Sequence, residues 1–558
     1  MNYNNRLKTT FCLLISMACS ACTDNNNDGN TTAKGECDQA GASNLQTVIF
    51  TRTVDSQPDL YMVKEDCSNL IALANTSDNE SFQAVTPTGR LIFWRYVNGL
   101  QGELFSTDRN GRDRISLTEP LALEGTKSFR AITPGGRIIF DNKPTASTYD
   151  LYMINEDATG FITISASSYD DTFRGFTRSG WIMFDKYRWS STPAYIIEDI
   201  YVADEETNVQ HTVVNSGNIE LYVNETDDGR IIYNSWPPGY SILNSDVYSV
   251  NLDGSNRQVL ANSSSNEFCR GIASFNTGTI VSNWAIIEKE SSPGSGNWDL
   301  ISVDINGTTV NADGSISGMA TLANSATREL FFAASSTGRV IFSSDPGYDI
   351  FSVNADGTDL QILANSPDNE FASMFTSNEQ LIYRRSYDSI QSDLHIVNAD
   401  GSSNIRLTDT ADKNESFEHE AANGRIIFSA LSTTYPTIYG FNSINSDGTG
   451  LATLVADTPN AVYFVDETPS GRLIFVESDG NGYFNLFSID SFGNGLANLA
   501  DKVDRQSYKG ETTNGRIIFE RRDENNSNSY NIFSVKADGS DLRPIATTSD
   551  DERFVTIF

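Results

Sequence analysis

The sequence predicts an all-β protein: a β-propeller of about eleven four-stranded repeats. Three observations predict it. A motif of Gly-Arg followed by three apolar residues recurs, most copies stand 41–49 residues apart, and hairpin turns separate short β-rich runs. That period suits a propeller blade. Frequent Gly and Asn between short runs disfavour helical repeats.

The chain opens with "MNYNNRLKTTFCLLISMACSAC", a basic start, an apolar run from Phe11 to Ala18, and small residues before Cys22. Residues 1–21 read as an export signal rather than a membrane span. Their end resembles a bacterial lipobox, which implies a lipid on Cys22 and a membrane anchor. Cys19 is the alternative acceptor, and a plain secretory signal the simpler reading. Thr23, not aspartate, follows Cys22, which favours the outer membrane. Residues 23–46 are polar and rich in Asn and Gly, the composition of a flexible tether. Cys37 and Cys67 could pair and clip the tether to the first repeat, with two free thiols as the alternative. Cys269, in an apolar strand, reads as a small core residue.

The repeats follow. "GRLIF" (89–93) returns at 136–140, 229–233, 338–342, 424–428, 471–475 and 515–519, with weaker copies at 48–50, 180–184, 278–282 and 379–383. Each unit reads as four strands. In the copy starting at Ser81 they are "SFQAVTP", "RLIFWR", "ELFSTD" and "RISLT", here called a to d. Turns such as "NADG" between c and d supply the Asn, Asp and Gly that tolerate positive φ. The pattern of "TPTGRLIF" (86–93), "DIFSVNADGTDL" (349–360) and "DLHIVNADGSSNIRLT" (393–408) resembles TolB-type propellers and their WD-like repeats. The resemblance covers nearly everything after residue 46. A separate α/β domain precedes the TolB propeller and has no counterpart here, so TolB's partnerships are not implied.

The array starts on strand b (47–52) and ends on strand a (553–558), so the C-terminal strand is expected to complete the N-terminal blade and remove an exposed edge. Eleven blades exceed the usual four to eight per ring. Two tandem propellers are therefore expected, 47–275 with five repeats and 276–558 with six, split where an interval of 61 residues interrupts the period. One wide ring is the alternative.

Propeller geometry puts the a–b and c–d turns on one face and the b–c and d–a loops on the other. The loop face is variable and aromatic, and Trp94, Trp189, Trp236, Trp284 and Trp298 are candidate ligand contacts there; packing of loops onto blades is the plainer role. The d–a loops add Glu80, Glu267, Glu370, Glu415 and Glu552, each shortly before or beside the start of strand a. Accepting backbone N–H bonds is their first expected role, and a carboxylate cluster near the central opening for sugars, basic peptide or a cation the sharper one.

No cofactor, metal centre or catalytic residue is assigned. His211, His395 and His419 fall in different repeats, and no HExxH or GxSxG occurs. "NADG" is not an EF-hand loop, because aligning Asp356-Gly357 puts Ser352 at position one and Leu363 at twelve. The net charge of −34 opposes nucleic-acid binding. These features point to a non-enzymatic envelope lipoprotein binding protein or polysaccharide. The alternatives are a carbohydrate-active hydrolase or lyase with paired carboxylates, and an envelope assembly scaffold.

Overall fold

A computed structural model describes residues 45–558 except 98–100, 145–147, 192–193, 238–243, 277–280, 308–315, 388–390, 435–436, 479, 481–483, 501–504, 524–527 and 549. The described residues form forty-four strands, grouped as eleven antiparallel meanders of four. Blade 2 is representative: strand a is Glu80–Val85, b Leu91–Val97, c Gln101–Thr107 and d Ile115–Ser116. Its a–b turn closes with the Gly89 N–H on the Thr86 carbonyl at 2.8 Å. Gly89 has φ +92°, the left-handed region that glycine enters without a Cβ clash.

The apolar triplet after each Gly-Arg is buried on both faces because every sheet is sandwiched between two others. Leu91, Ile92 and Phe93 are completely buried. The arginine is a strut. Arg339, itself buried, donates to Ser352 Oγ at 3.0 Å, Asp359 Oδ2 at 2.8 Å and the Ala399 carbonyl of the next blade at 2.9 Å. The motif thus encodes a turn, a core and an inter-blade tie in five residues.

The ends join as expected. Asp551–Ile557 pairs antiparallel with Thr47–Val54, so the last strand is strand a of blade 1. Thr47 and Phe558 exchange backbone hydrogen bonds at 2.9 and 3.0 Å.

Strand c of every blade lies beside strand a of the next, from blade 1 to 2 through blade 11 to 1. Shared apolar cores follow the same circuit. Blade 5 packs Ile232 and Val247 against Ala285 and Ile287 of blade 6, and blade 11 packs Ile518 and Ile532 against Val48 and Phe50 of blade 1. The other faces of blades 1 and 5 meet blades 2 and 4. A five-plus-six division would need blade 5 against blade 1, and both faces of each are already covered. Among the described residues the packing therefore follows the wide-ring alternative. The expected seam at 275 falls inside strand a of blade 6, Glu267–Asn276.

The irregular interval has a local cause. Strand b of blade 6 is Val281–Glu290, and Gly271 and Cys269 pair with Ile286 and Ile287 as Ala84 and Phe82 pair with Ile92 and Phe93. The core triplet is thus Ala285-Ile286-Ile287, not "GTIVS". A longer a–b hairpin displaces it along the chain.

Candidate binding surface

Strands a converge on the axis: those of blades 5 and 6, and of 6 and 7, touch each other. Strands d are short and carry exposed residues such as Ile362, which places them at the rim. The first residues of strand a therefore set what the loop side of the opening displays.

One register position there is acidic in most blades. Glu80, Glu267, Glu370, Glu415 and Glu552 all occupy it and are 0–1 % exposed. Each accepts from a hydroxyl in its own d–a loop: Thr76, Ser263, Ser366, Thr410 and Thr548 respectively. The structural role named first in the sequence is thus the one their surroundings fit, with a side-chain hydroxyl as the principal donor. Asp171, Glu220 and Glu329 hold the same position with Ser167, Ser216 and Ser325 as donors, and the sequence reading missed them. The signal was available as Ser or Thr four residues before an acid.

Across the blade interface each acid meets strand c of the preceding blade. Asp59 faces Glu80, Asp199 faces Glu220, and Asp393 faces Glu415. Burial, with the facing aspartate adding repulsion, pushes Glu80, Glu220 and Glu415 up to about 7. Burial also pushes Glu552 up to about 8. At blade 3 the position is Lys127, buried and paired with Glu103 at 2.7 Å. In blades 10 and 11 it is Val462 and Gln506.

The tryptophans are scattered. Trp94 lies over Gly102, leaving no room for a Cβ there, and its Nε1 donates to the Lys127 carbonyl at 2.9 Å; it holds blades 2 and 3 together. Trp236 ends strand b of blade 5, and Trp298 opens strand c of blade 6, both on the loop side. Trp284 does not lie there. It precedes the core triplet, where other blades carry the strut arginine, and packs between blades 6 and 7. The expectation fails because the core triplet of blade 6 is Ala285-Ile286-Ile287 rather than "GTIVS". The Trp189 side chain, Cys22 and Cys37 lie outside the described residues. Cys67 is buried, and its thiol donates to the Pro544 carbonyl at 3.2 Å.

The residue after this register position points to the other side of the strand, and it is apolar in a run of four successive blades. It is Leu221, Phe268, Leu330 and Phe371 in blades 5 to 8 and, past Ser416 of blade 9, Tyr463 in blade 10, but Ser81, Ser128 and Thr172 in blades 2 to 4, Ser507 in blade 11 and Arg553 in blade 1. Leu221 is 41 % and Tyr463 53 % exposed. Aromatic neighbours extend the apolar arc: Trp298 is 5.8 Å from Phe268 and Tyr348 5.0 Å from Phe371, centroid to centroid. Two residues further on, every strand a carries a β-bulge, seen as a register shift, for example between Phe331 and Ala333 and between Phe464 and Asp466. A bulge leaves one residue unpaired and redirects its side chain. Phe332 and Val465, the unpaired residues, are exposed and widen the arc. In blades 3, 4 and 6 the same position holds Arg130, Arg174 and Arg270, each paired with a carboxylate of its own sheet, Asp141, Asp185 and Glu288.

Fold and lining together define a β-propeller protein whose opening is apolar along blades 5 to 8. No family model matches the chain, and no curated protein matches it. Among solved structures it is similar to prolyl endopeptidases (11 % identity, TM-score 0.30, covering 66 % of this chain and 55 % of the other). It is also similar to the tricorn protease (11 %, 0.28, 89 % and 53 %) and a puromycin hydrolase (13 %, 0.28, 64 % and 58 %). The chain spans little more than half the length of these proteins, and likeness at this level carries no activity to it.

Proposed function

We propose that this chain is a non-enzymatic, lipid-anchored envelope protein whose propeller binds a protein or polysaccharide at the loop-side mouth of the ring. The observation that carries the reading is the apolar arc of Leu221, Phe268, Leu330 and Phe371 in blades 5 to 8, with Tyr463 beyond Ser416 of blade 9. Apolar and aromatic side chains facing an opening supply contact area for an extended partner, because aromatic anchors dominate binding energy where they become desolvated. The serines and threonine of blades 2 to 4 supply hydrogen-bonding groups on the other side. The anchor rests on the signal and Cys22, and the TolB-type resemblance supplies no partner.

Glycoside chemistry requires two carboxyl groups flanking a bond of the substrate. The acids that recur on the loop side are buried at blade interfaces, beyond the reach of a sugar, which supports binding over hydrolysis or lysis there.

The test is capture of envelope proteins and a glycan array with the full chain, against a variant carrying Phe371→Ala and Tyr463→Ala. Each anchor is expected to contribute about 1–2 kcal/mol, so binding should weaken at least tenfold while the melting temperature holds. Undiminished binding would move the site off this arc. Protein capture with no glycan signal would remove the polysaccharide version.

A further inference from the structure

We propose that the carboxyl pairs between blades share protons and act as acid-dependent staples, so that the ring is tightest in mildly acidic solution and loosens as the solution becomes alkaline.

The geometry recurs. Glu80, Glu220 and Glu415 are buried, each holding a loop hydroxyl on Oε1. In each the other oxygen, Oε2, is buried and meets no donor. Glu329 and Glu370 repeat the arrangement, with Asp299 and Asp349 across the interface. A buried carboxylate oxygen without a donor is costly, whereas a protonated one becomes a donor, and the group opposite is a carboxylate. Two carboxyls sharing a site favour one proton between them.

The charges around each glutamate leave that reading intact. Glu80 faces Asp59, with Arg95 and Arg114 nearby, and desolvation outweighs both arginines. Around Glu220 stand Asp199 and Arg257. Glu415 faces Asp393, whose own charge is held by Arg406. A contrasting case is Glu267, which has Lys289 at 3.4 Å as well as Asp246 opposite.

The sign follows by linkage. The folded glutamates hold their protons up to about 7, above the unfolded range near 4.5. The folded state therefore binds more protons between those values, and its stability falls as pH rises through that window. The contribution is fully present below the unfolded value and gone above the folded one.

The experiment is thermal unfolding of the full chain from about pH 5 to about pH 8.5, with the triple variant Glu80→Gln, Glu220→Gln, Glu415→Gln and, as an exposed control, Glu206→Gln. An amide keeps an acceptor for the hydroxyl and supplies a permanent donor to the aspartate. The natural chain and the control are expected to lose melting temperature in parallel toward alkaline pH, and the triple variant to show a flatter curve. Infrared spectra provide a second readout that needs no variant: a protonated-carboxyl band persisting at about pH 6. A triple variant with unchanged slope, or the absence of that band, would overturn the proposal.

Discussion

The interface between blades 8 and 9 and that between blades 10 and 11 occupy the same place in the repeat and join strand c to strand a with different chemistry. In the first, Asp393 faces Glu415 and the fit depends on a proton. In the second, Asn485 and Gln506 are neutral, and Gln506 Oε1 accepts the Leu486 N–H at 3.0 Å. Between blades 2 and 3 a third solution appears, the buried Lys127–Glu103 ion pair. The apolar cores at these seams are alike. The polar position at the mouth of each seam is therefore what distinguishes one interface from another, and it decides how each responds to pH.

Breaking the ion pair should have the largest effect. Lys127 Nζ is 2.7 Å from Glu103, and Thr118 also donates to that carboxylate. Lys127→Ala leaves a buried carboxylate with one hydroxyl as partner, and such removals cost about 3–5 kcal/mol. Denaturant unfolding of this variant should show the loss. A cost near that of an exposed substitution would mean that this seam is wetter than its burial implies.

Converting the neutral seam into an acidic one should have an intermediate effect. Gln506→Glu keeps an oxygen for the Leu486 N–H but buries an ionisable group, and Arg521 stands opposite in register as Arg95 does to Glu80. With that placement burial still pushes Glu80 up to about 7. The variant should match the natural protein at about pH 5 and lose about 1–3 kcal/mol by about pH 8, as the charged form is forced into the seam. Comparing its melting temperatures with those of the natural chain at both pH values checks this. Equal curves would show that the seam around Gln506 tolerates charge.

How far the sequence reveals these differences depends on the range of the interaction involved. Gly-Arg and its apolar triplet are legible because turn, strut and core all lie within five residues. Blade 6 was misregistered because Trp284 replaces the arginine and the hairpin lengthens, leaving "GTIVS" as the nearer apolar match. The circuit of eleven was not legible either: which sheet covers the free face of blade 5 is settled by long-range packing that no local pattern records. The acids were visible as a recurrence, but not their partners. Asp59 and Glu80 lie 21 positions apart in chain and in different blades, and only the c-to-a contact brings them together. The apolar arc stands one residue after the acids of blades 5 to 8, and the recurrence of the acids themselves is the stronger sequence signal.

The smallest effect is expected at the "NADG" turn on the opposite face, where acids recur as regularly as at the seams but in water. Asp356 Oδ1 accepts from the Thr358 N–H at 2.9 Å and its hydroxyl at 2.6 Å, and Gly357, with φ +81°, closes the hairpin. The carboxylate is thus engaged by its own turn, with solvent replacing the facing aspartate of the seams. An asparagine offers the same acceptor. Asp356→Asn should therefore change stability by no more than about 0.5 kcal/mol, with no pH dependence added, and calcium should leave the melting temperature of both proteins unchanged. A calcium-dependent rise lost in the variant would make this turn a metal ligand. Without one, the same residue type serves as a local turn at one end of the blade and as a proton-dependent contact at the other, and burial is the difference.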